Sequence, residues 1–374
     1  MKLKTIEGIK DLKGKRVLLR LDLNVPIENG MVKDDFRIKK SLKTYEYLKE
    51  NGAKIIIISH IGSGGEMSLA PIARYLKVPL LELKIDAELN KKIDEMNDGE
   101  AIMLENLRKD PREILNENSF SKELASIADI YVNEAFSVSH RKHCSIAGVV
   151  EYIPSYYGFL FADEVKNLSM AFKPEHPFIF ILGGAKFETK LSLVNKFLDI
   201  ADKIFICGAL ANSFYKEAGY ETGKSLVDVK NLNLNEIQKN PKIVLPEDVV
   251  VETESGERIV KDFTSLQKKE RIIDAGPAYL EKIKEAVGSS KFILWNGPIG
   301  IFEIGQGETT KEVAKIISES KAKSIIGGGD TLAAIEEMGI LDEFTFVSTG
   351  GGAMLDFLAY GTLHGIEAMK TNKK

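Results

Sequence analysis

Cysteine is almost absent from this chain: only Cys144 and Cys207 occur in 374 residues, far apart and without metal-ligand spacing. That excludes a disulfide framework and fits a reducing compartment. Long apolar runs are missing as well. The longest, such as IIII at 55–58, are far too short to span a bilayer. The segment 1–15, MKLKTIEGIKDLKGK, lacks the apolar core of a secretory signal. Nor is there a basic excess. The formal net charge is −4 and the pI about 5.9, whereas a nucleic-acid scaffold normally carries surplus Lys and Arg. Fixed-period repeats and low-complexity tracts are lacking too. A cytoplasmic protein with no membrane or nucleic-acid partner is expected.

What is present is ordinary in amount and telling in order. Apolar residues make up 44% and charged residues 28%, as in a soluble globular protein, and 374 residues favour two domains over one core. Strand-like and helix-like stretches alternate. RVLLRLDL (16–23) reads as a strand, and 35–51 as a helix with Ile38, Leu42, Tyr45 and Leu48 on one face. KIIIIS (54–59) has the β-branched run of a strand buried on both faces. Further on, 69–76 and 120–128 look helical, and 101–104 and 130–132 strand-like. Beyond 175, strands are expected at 178–182, 203–207, 242–245, 249–251, 292–295, 324–326 and 344–347. Helices are expected at 190–199, 210–218, 277–287, 309–319 and 332–338. Such alternation gives parallel sheets with helices on both faces, and ligands bind beyond the carboxyl ends of the strands. Pro174 and Pro177 follow a helix-like stretch at 161–172 and place a domain boundary there.

Three glycine-rich turns in the second half each separate a strand from a helix: GGAK at 183–186, GGGDT at 327–331 and STGGGA at 348–353. Glycine lets a backbone approach a bulky anion, and a helix N-terminus aims free N–H groups at it. Lys186 and Lys190 follow the first turn four residues apart. A Lys near a helix N-terminus is favoured only when an anion is there too. Asp330 is the expected metal contact, since Mg²⁺ in nucleotide sites takes one or two carboxylates plus phosphate oxygens. Glu303, after a Gly-Pro loop, could accept a ribose hydroxyl, although alone it would read as a surface carboxylate.

In the first half, polar and basic residues gather where strands end: Asp22, Asn24, Arg37, His60, Arg108 and Arg141. Strand ends of a parallel sheet share one edge, so these residues should converge. Arginine pairs bidentately with phosphate and carboxylate, which suits a small phosphorylated acid. Two motifs are set aside. AGYETGKS (218–225) meets a relaxed P-loop pattern, but it follows a helix-like stretch where a P-loop must leave a strand. His140 and His143 are spaced as a metal pair but have no third ligand nearby.

Together these segments resemble the phosphoglycerate kinase family over nearly the whole chain. The carrying segments include RLDLNVP (20–26), DDFRI (34–38), SHIG (59–62), LENLR (104–108), ADIYVNEAFSVSHRKH (128–143) and ILGGAKFETK (181–190). They continue with LPEDVVV (245–251), DAGP (274–277), WNGPIGIFE (295–303), SIIGGGDT (324–331) and STGGGA (348–353). The resemblance implies an α/β fold of two doubly wound, Rossmann-like lobes joined by a helix that bends as a hinge. The lobes would be 1–172, with a tail of about 360–374 returning to it, and 173–359.

It also implies reversible, Mg²⁺-dependent phosphoryl transfer between 1,3-bisphosphoglycerate and ADP, giving 3-phosphoglycerate and ATP, by a monomer. Asp22, Asn24, Arg37, His60, Ser63, Arg108 and Arg141 would form the 3-phosphoglycerate site. Lys186 and Arg37, with the Gly350, Gly351 and Gly352 turn, would face the transferred group. Lys190, Gly208, Asn296, Glu303, Gly328, Gly329, Asp330 and Thr331 would contact nucleotide, with Asp330 on the metal. Held on different lobes, the substrates would meet on hinge closure, which excludes water.

Two departures and three alternatives accompany this resemblance. Ser63 stands where the family usually has an arginine, in a shorter loop, and the loop 304–309 is also short. A charge-assisted hydrogen bond contributes roughly 1.5–3 kcal/mol, so the lost guanidinium would weaken binding by one or two orders of magnitude unless Lys142 replaces it. A catalytically silent nucleotide-binding relative would lack Lys186, Arg37 or Asp330, and all three are present. A dinucleotide-dependent dehydrogenase would need G-x-G-x-x-G followed by an acidic residue, which no turn shows. A kinase for a related phosphorylated acid is the reading that Ser63 motivates.

Overall fold

The computed structural model describes residues 3–185, 187–228, 234–301 and 307–371. They divide into two compact units, 1–166 with 360–374, and 167–359. The division falls inside the helix Phe159–Ser169, which runs from one unit into the other.

The first unit is built on a six-stranded sheet. Its order is Leu80–Leu81, Ala101–Leu104, Lys54–Ile58, Arg16–Arg20, Ile130–Asn133, Ser155–Tyr157, and every neighbouring pair is parallel. Side chains alternate between its two faces, and both are buried. Leu19, Ile55, Ile57 and Val132 belong to one core cluster, and Leu18, Ile56, Ile58 and Tyr131 to the other. The helix Phe36–Glu50 buries Ile38, Tyr45 and Leu48 at the expected spacing. Residues beyond 359 complete this unit. The helix His364–Thr371 is held by Gly365 N–H on the Ser139 carbonyl at 2.9 Å and by Tyr157 Oη on the Ile366 carbonyl at 3.4 Å.

The second unit repeats the plan. Its six parallel strands run Ile243–Val244, Lys203–Ile206, Phe178–Leu182, Phe292–Asn296, Lys323–Gly327, Phe346–Ser348. Numbered in chain order within the sheet this is 3-2-1-4-5-6, the doubly wound arrangement. The order reverses between Phe178–Leu182 and Phe292–Asn296, both buried along their whole length.

An added layer departs from simple alternation. Arg258–Asp262, Asp248–Glu252 and Arg271–Ala275 form a three-stranded antiparallel sheet over Val249, Val251 and Leu266. Only its central strand, at 249–251, is expected from sequence. Arg258–Asp262 is an edge strand with no fully buried residue, so its composition carries little apolar signal.

Candidate active site

At the carboxyl edge of the first sheet, Arg20 lies in register with Ile58 on one side and Asn133 on the other. The turns leaving these strands therefore begin side by side. Asp22, 7% exposed, accepts a hydrogen bond from Arg37 Nη1 at 2.7 Å and another from the Ser137 hydroxyl. Burial alone would raise its pKa, but the Arg37 charge, the Ser137 hydrogen bond and the Arg20 charge outweigh it and hold the carboxyl below its ordinary range. Asn24 turns its side-chain oxygen to the Gly62 N–H at 3.0 Å, which ties the first turn to the second.

Arg108 projects from the turn Leu107–Lys109 and donates through Nη1 to the carbonyls of Gly62 and Ser63, the latter at 3.1 Å. Its buried Nε meets no acceptor among the described residues. Ser63 is exposed, and so are Arg141 and Lys142. His60 is buried, and burial followed by Arg20, Arg108 and Arg141 pushes its pKa down to about 2 against the pull of Asp22. It is a neutral imidazole at physiological pH. Arg20, Ser137, Glu113 and Ser145 also take part in this edge, yet sequence reasoning does not single them out. For Arg20 the available signal was a charge inside an apolar run, VLLRL; Glu113, which follows Lys109, Asp110, Pro111 and Arg112, carried none.

The second sheet has a corresponding edge. Ile206, Leu182, Asn296, Gly327 and Ser348 lie in one register line across five strands. The glycine turns therefore emerge together. Across the switch point the Gly183 N–H donates to the Asn296 carbonyl at 2.9 Å. A Cβ on Gly183 would lie 2.1 Å from the Pro298 carbonyl oxygen, so only glycine fits this approach. Lys190, 4% exposed, donates its ammonium to the Gly183 carbonyl and so lies beneath the turn. Lys186 and Glu303 fall outside the described residues.

Gly208 opens the helix Gly208–Glu217 against the backbone of Gly184, where an added Cβ would lie 2.8 Å from the Gly184 nitrogen. Ala218 is the C-cap of that helix, so AGYETGKS follows a helix and is not a P-loop. Asn296 Nδ2 donates to the Gly327 carbonyl at 3.1 Å, and Gly297 N–H to Thr331 Oγ1 at 2.9 Å. Gly328, at φ 108°, caps the helix Gly329–Glu336, whose first turn carries Asp330. Gly350 and Gly351 precede the helix Gly352–Tyr360.

A cavity of about 580 Å³ opens at this edge, lined among others by Gly184, Gly208, Pro298, Asp274, Arg271 and Asp330. Asp274 is 6% exposed, and burial raises its pKa to about 6 against hydrogen bonds from Thr309 and the Ala275 N–H. Glycine turns and helix N-termini around one cavity form a polyanion cradle. Asp330, exposed on the cavity lining, supplies a hard oxygen ligand of the kind Mg²⁺ takes beside phosphate oxygens. Among the described residues no cluster of three or more His, Cys, Asp or Glu could hold a metal by itself. No described helix is long and apolar enough to cross a membrane.

A family model, that of phosphoglycerate kinase, matches residues 6–360. The chain belongs to the phosphoglycerate kinase family. A phosphoglycerate kinase from Thermosipho africanus is 42% identical over 99% of this chain and 98% of its own length. One from Dictyoglomus turgidum is 41% identical, covering 98% of this chain and 99% of its own. Among solved structures, phosphoglycerate kinase from Coxiella burnetii superposes with a TM-score of 0.86 at 35% identity, covering both chains completely. The Pyrococcus horikoshii enzyme gives 0.86 at 32% identity, covering 98% of each chain. Family membership at this coverage makes the protein a phosphotransferase and removes the dehydrogenase reading.

Proposed function

We propose that this protein transfers a phosphoryl group reversibly between 1,3-bisphosphoglycerate and ADP, yielding 3-phosphoglycerate and ATP in glycolysis. The observation that carries the reading is a line of five strand ends, four of whose following turns line one cavity, in a chain of this family. The cavity takes the nucleotide, with Gly208, Asn296 and Glu303 as nucleotide contacts and Lys190, Gly328, Gly329 and Thr331 as contacts to its phosphates. The basic edge of the first sheet takes 3-phosphoglycerate through Asp22, Asn24, Arg37, His60, Ser63, Arg108 and Arg141.

Phosphoryl transfer asks for positioning and charge stabilisation more than for covalent help. Arg37, Lys186 and the N–H groups at Gly350, Gly351 and Gly352 supply positive potential to the group in flight. The attacking carboxylate or ADP oxygen is already ionised, so no general base is required. Mg²⁺, held by Asp330, would neutralise charge on the nucleotide phosphates. A cytoplasmic monomer completes the proposal.

A coupled assay of ADP formation from ATP, 3-phosphoglycerate and Mg²⁺ tests it. Saturable activity that Lys186→Ala abolishes is expected. Absence of wild-type activity with nucleotide binding intact would instead favour a silent relative, or a kinase for another phosphorylated acid as the serine at position 63 would allow.

A further inference from the structure

Beneath the arginines of the first unit runs a line of four buried polar residues: Glu113 is 1% exposed, Ser145 0%, Arg20 1% and His60 3%. They come from four separate places, the short helix Arg112–Leu115, the turn Cys144–Gly148, the strand Arg16–Arg20 and the turn after Lys54–Ile58. The Glu113 carboxylate accepts from the Ser145 hydroxyl at 2.6 Å and from the Ser145 N–H at 3.0 Å. Ser145 Oγ accepts from Arg20 Nε at 3.0 Å. At the far end Arg20 Nη2 lies 3.1 Å from His60 Nδ1. Arg20 Nη1 is held as well, by the Leu21 carbonyl and, at 3.4 Å, by Ser59 Oγ.

A guanidinium carries donors only. His60 Nδ1 is therefore the acceptor, and the imidazole proton resides on Nε2. We infer that Glu113, Ser145 and Arg20 form a positioning relay that holds His60 as the neutral Nε2–H tautomer, so that it presents a hydrogen-bond donor, not a cation, to an anionic substrate.

The surrounding charges agree with that assignment. Arg20 faces His60 from the sheet, Arg108 and Arg141 from neighbouring turns, and Asp22 from its own edge. Burial and the three arginines disfavour a second proton on the ring, and only Asp22 opposes them. Glu113 faces Arg20 from below; burial raises its pKa above the ordinary carboxyl value, with the Arg20 charge pulling the other way. His143, with Nδ1 3.9 Å from Glu113, is held down to about 4 by burial, Arg108 and Arg141, so it adds no charge at neutral pH. A donor fixed in this way serves phosphate or carboxylate across the neutral range, where a titrating histidine would lose grip above about pH 6.5.

The identity of the anion rests on the 3-phosphoglycerate reading, but the relay does not. It is tested on the full chain labelled with ¹⁵N-histidine, with the His60 signals assigned by their loss in His60→Gln. The expected spectrum shows a protonated Nε2 and a bare Nδ1 that stay unchanged from about pH 5 to about pH 8. Ser145→Ala, which breaks the relay at its middle, should mix the tautomers. It should also raise the KM for 3-phosphoglycerate about tenfold and leave the nucleotide KM within about twofold. Glu113→Gln, which keeps an acceptor for Ser145, should preserve the tautomer. A wild-type His60 that titrates near about pH 6.5, or carries its proton on Nδ1, overturns the inference without any variant. An unaltered His60 in folded Ser145→Ala overturns it too. A wild-type spectrum as expected, with no shift or turnover on adding 3-phosphoglycerate, supports the relay and sinks the substrate assignment instead.

Discussion

Arg37 holds Asp22 by one nitrogen, Nη1 to Oδ2 at 2.7 Å, and the Ser137 hydroxyl shares that same oxygen. One corner of the guanidinium is thereby anchored to the sheet edge while Arg37 itself remains partly exposed. The carboxylate is thus a tether for the arginine as well as a candidate contact for substrate. Asp22→Asn should raise the KM for 3-phosphoglycerate about tenfold, through loss of one charge-assisted hydrogen bond. The folded pKa of Asp22 is depressed, so its stabilisation is present above the ordinary carboxyl range and is lost as pH falls through it. Urea unfolding should show the variant about 1–2 kcal/mol less stable at pH 7, with the gap closing below about pH 4. A gap independent of pH would refute this.

Glu134 behaves in the opposite sense. Fully buried, it accepts from Thr44 and from the N–H groups of Leu160 and Phe161, and burial raises its pKa to about 8. The folded state then binds this proton more tightly than the unfolded one, so stability falls as pH climbs from about 4.3 to about 8. Glu134→Gln removes that dependence. Its stability relative to wild type should improve by about 1–3 kcal/mol between pH 5 and pH 8. Parallel pH profiles of the two proteins would contradict the prediction.

Gly183→Ala places a methyl group 2.1 Å from the Pro298 carbonyl oxygen. The Cβ is fixed rigidly by its own backbone and its partner is backbone, so the two central strand ends must separate. A loss of about 1–3 kcal/mol in thermal unfolding is expected, with the nucleotide KM raised about tenfold. The KM for 3-phosphoglycerate should stay as it was. Equal effects on both substrates would mean that the distortion spreads beyond its own unit.

Asp330→Asn should shift the Mg²⁺ concentration for half-maximal activity upward by about tenfold, because a neutral amide is a weaker ligand for a hard dication. Activity measured against Mg²⁺ at saturating substrates reads this directly. An unchanged midpoint would remove Asp330 from the metal site.

Lys142 is exposed beside Arg141, on the edge where Ser63 offers only its carbonyl to Arg108. If Lys142 makes good the missing guanidinium, Lys142→Ala should raise the KM for 3-phosphoglycerate about tenfold, and Ser63→Arg should reverse the loss. Kinetics of the single and double variants decide it, and no change in the single variant sinks the idea.

Much of the scaffold was legible because a doubly buried parallel strand has a loud signature. KIIII and FIFIL announce themselves, and glycine after a strand marks a turn. The two-residue strand Leu80–Leu81 and the exposed edge Arg258–Asp262 carry no such periodicity, and both went unread. At the site, residue type announced Arg37, Arg108 and Asp330 as groups for charged ligands. Which partner each side chain meets was not legible. The Glu113–Ser145 pair spans 32 residues and Arg20–Ser145 spans 125, so only the folded register brings them together. Glu113 looks like a surface charge until the fold buries it.

Residues 360–371 lie on the first unit, with Gly365 against Ser139 and Ile146 and the carbonyl of Ile366 bonded to Tyr157. In the order of synthesis, the whole of 167–359 emerges from the ribosome before that patch can be covered. The half made first is therefore finished last. Its core must wait, partly open, for a contact that spans more than half the chain, while the second unit already has every strand it needs. Newly made protein should pass through a species with a closed second unit and a loosely held first one, which is where a chaperone would find its grip.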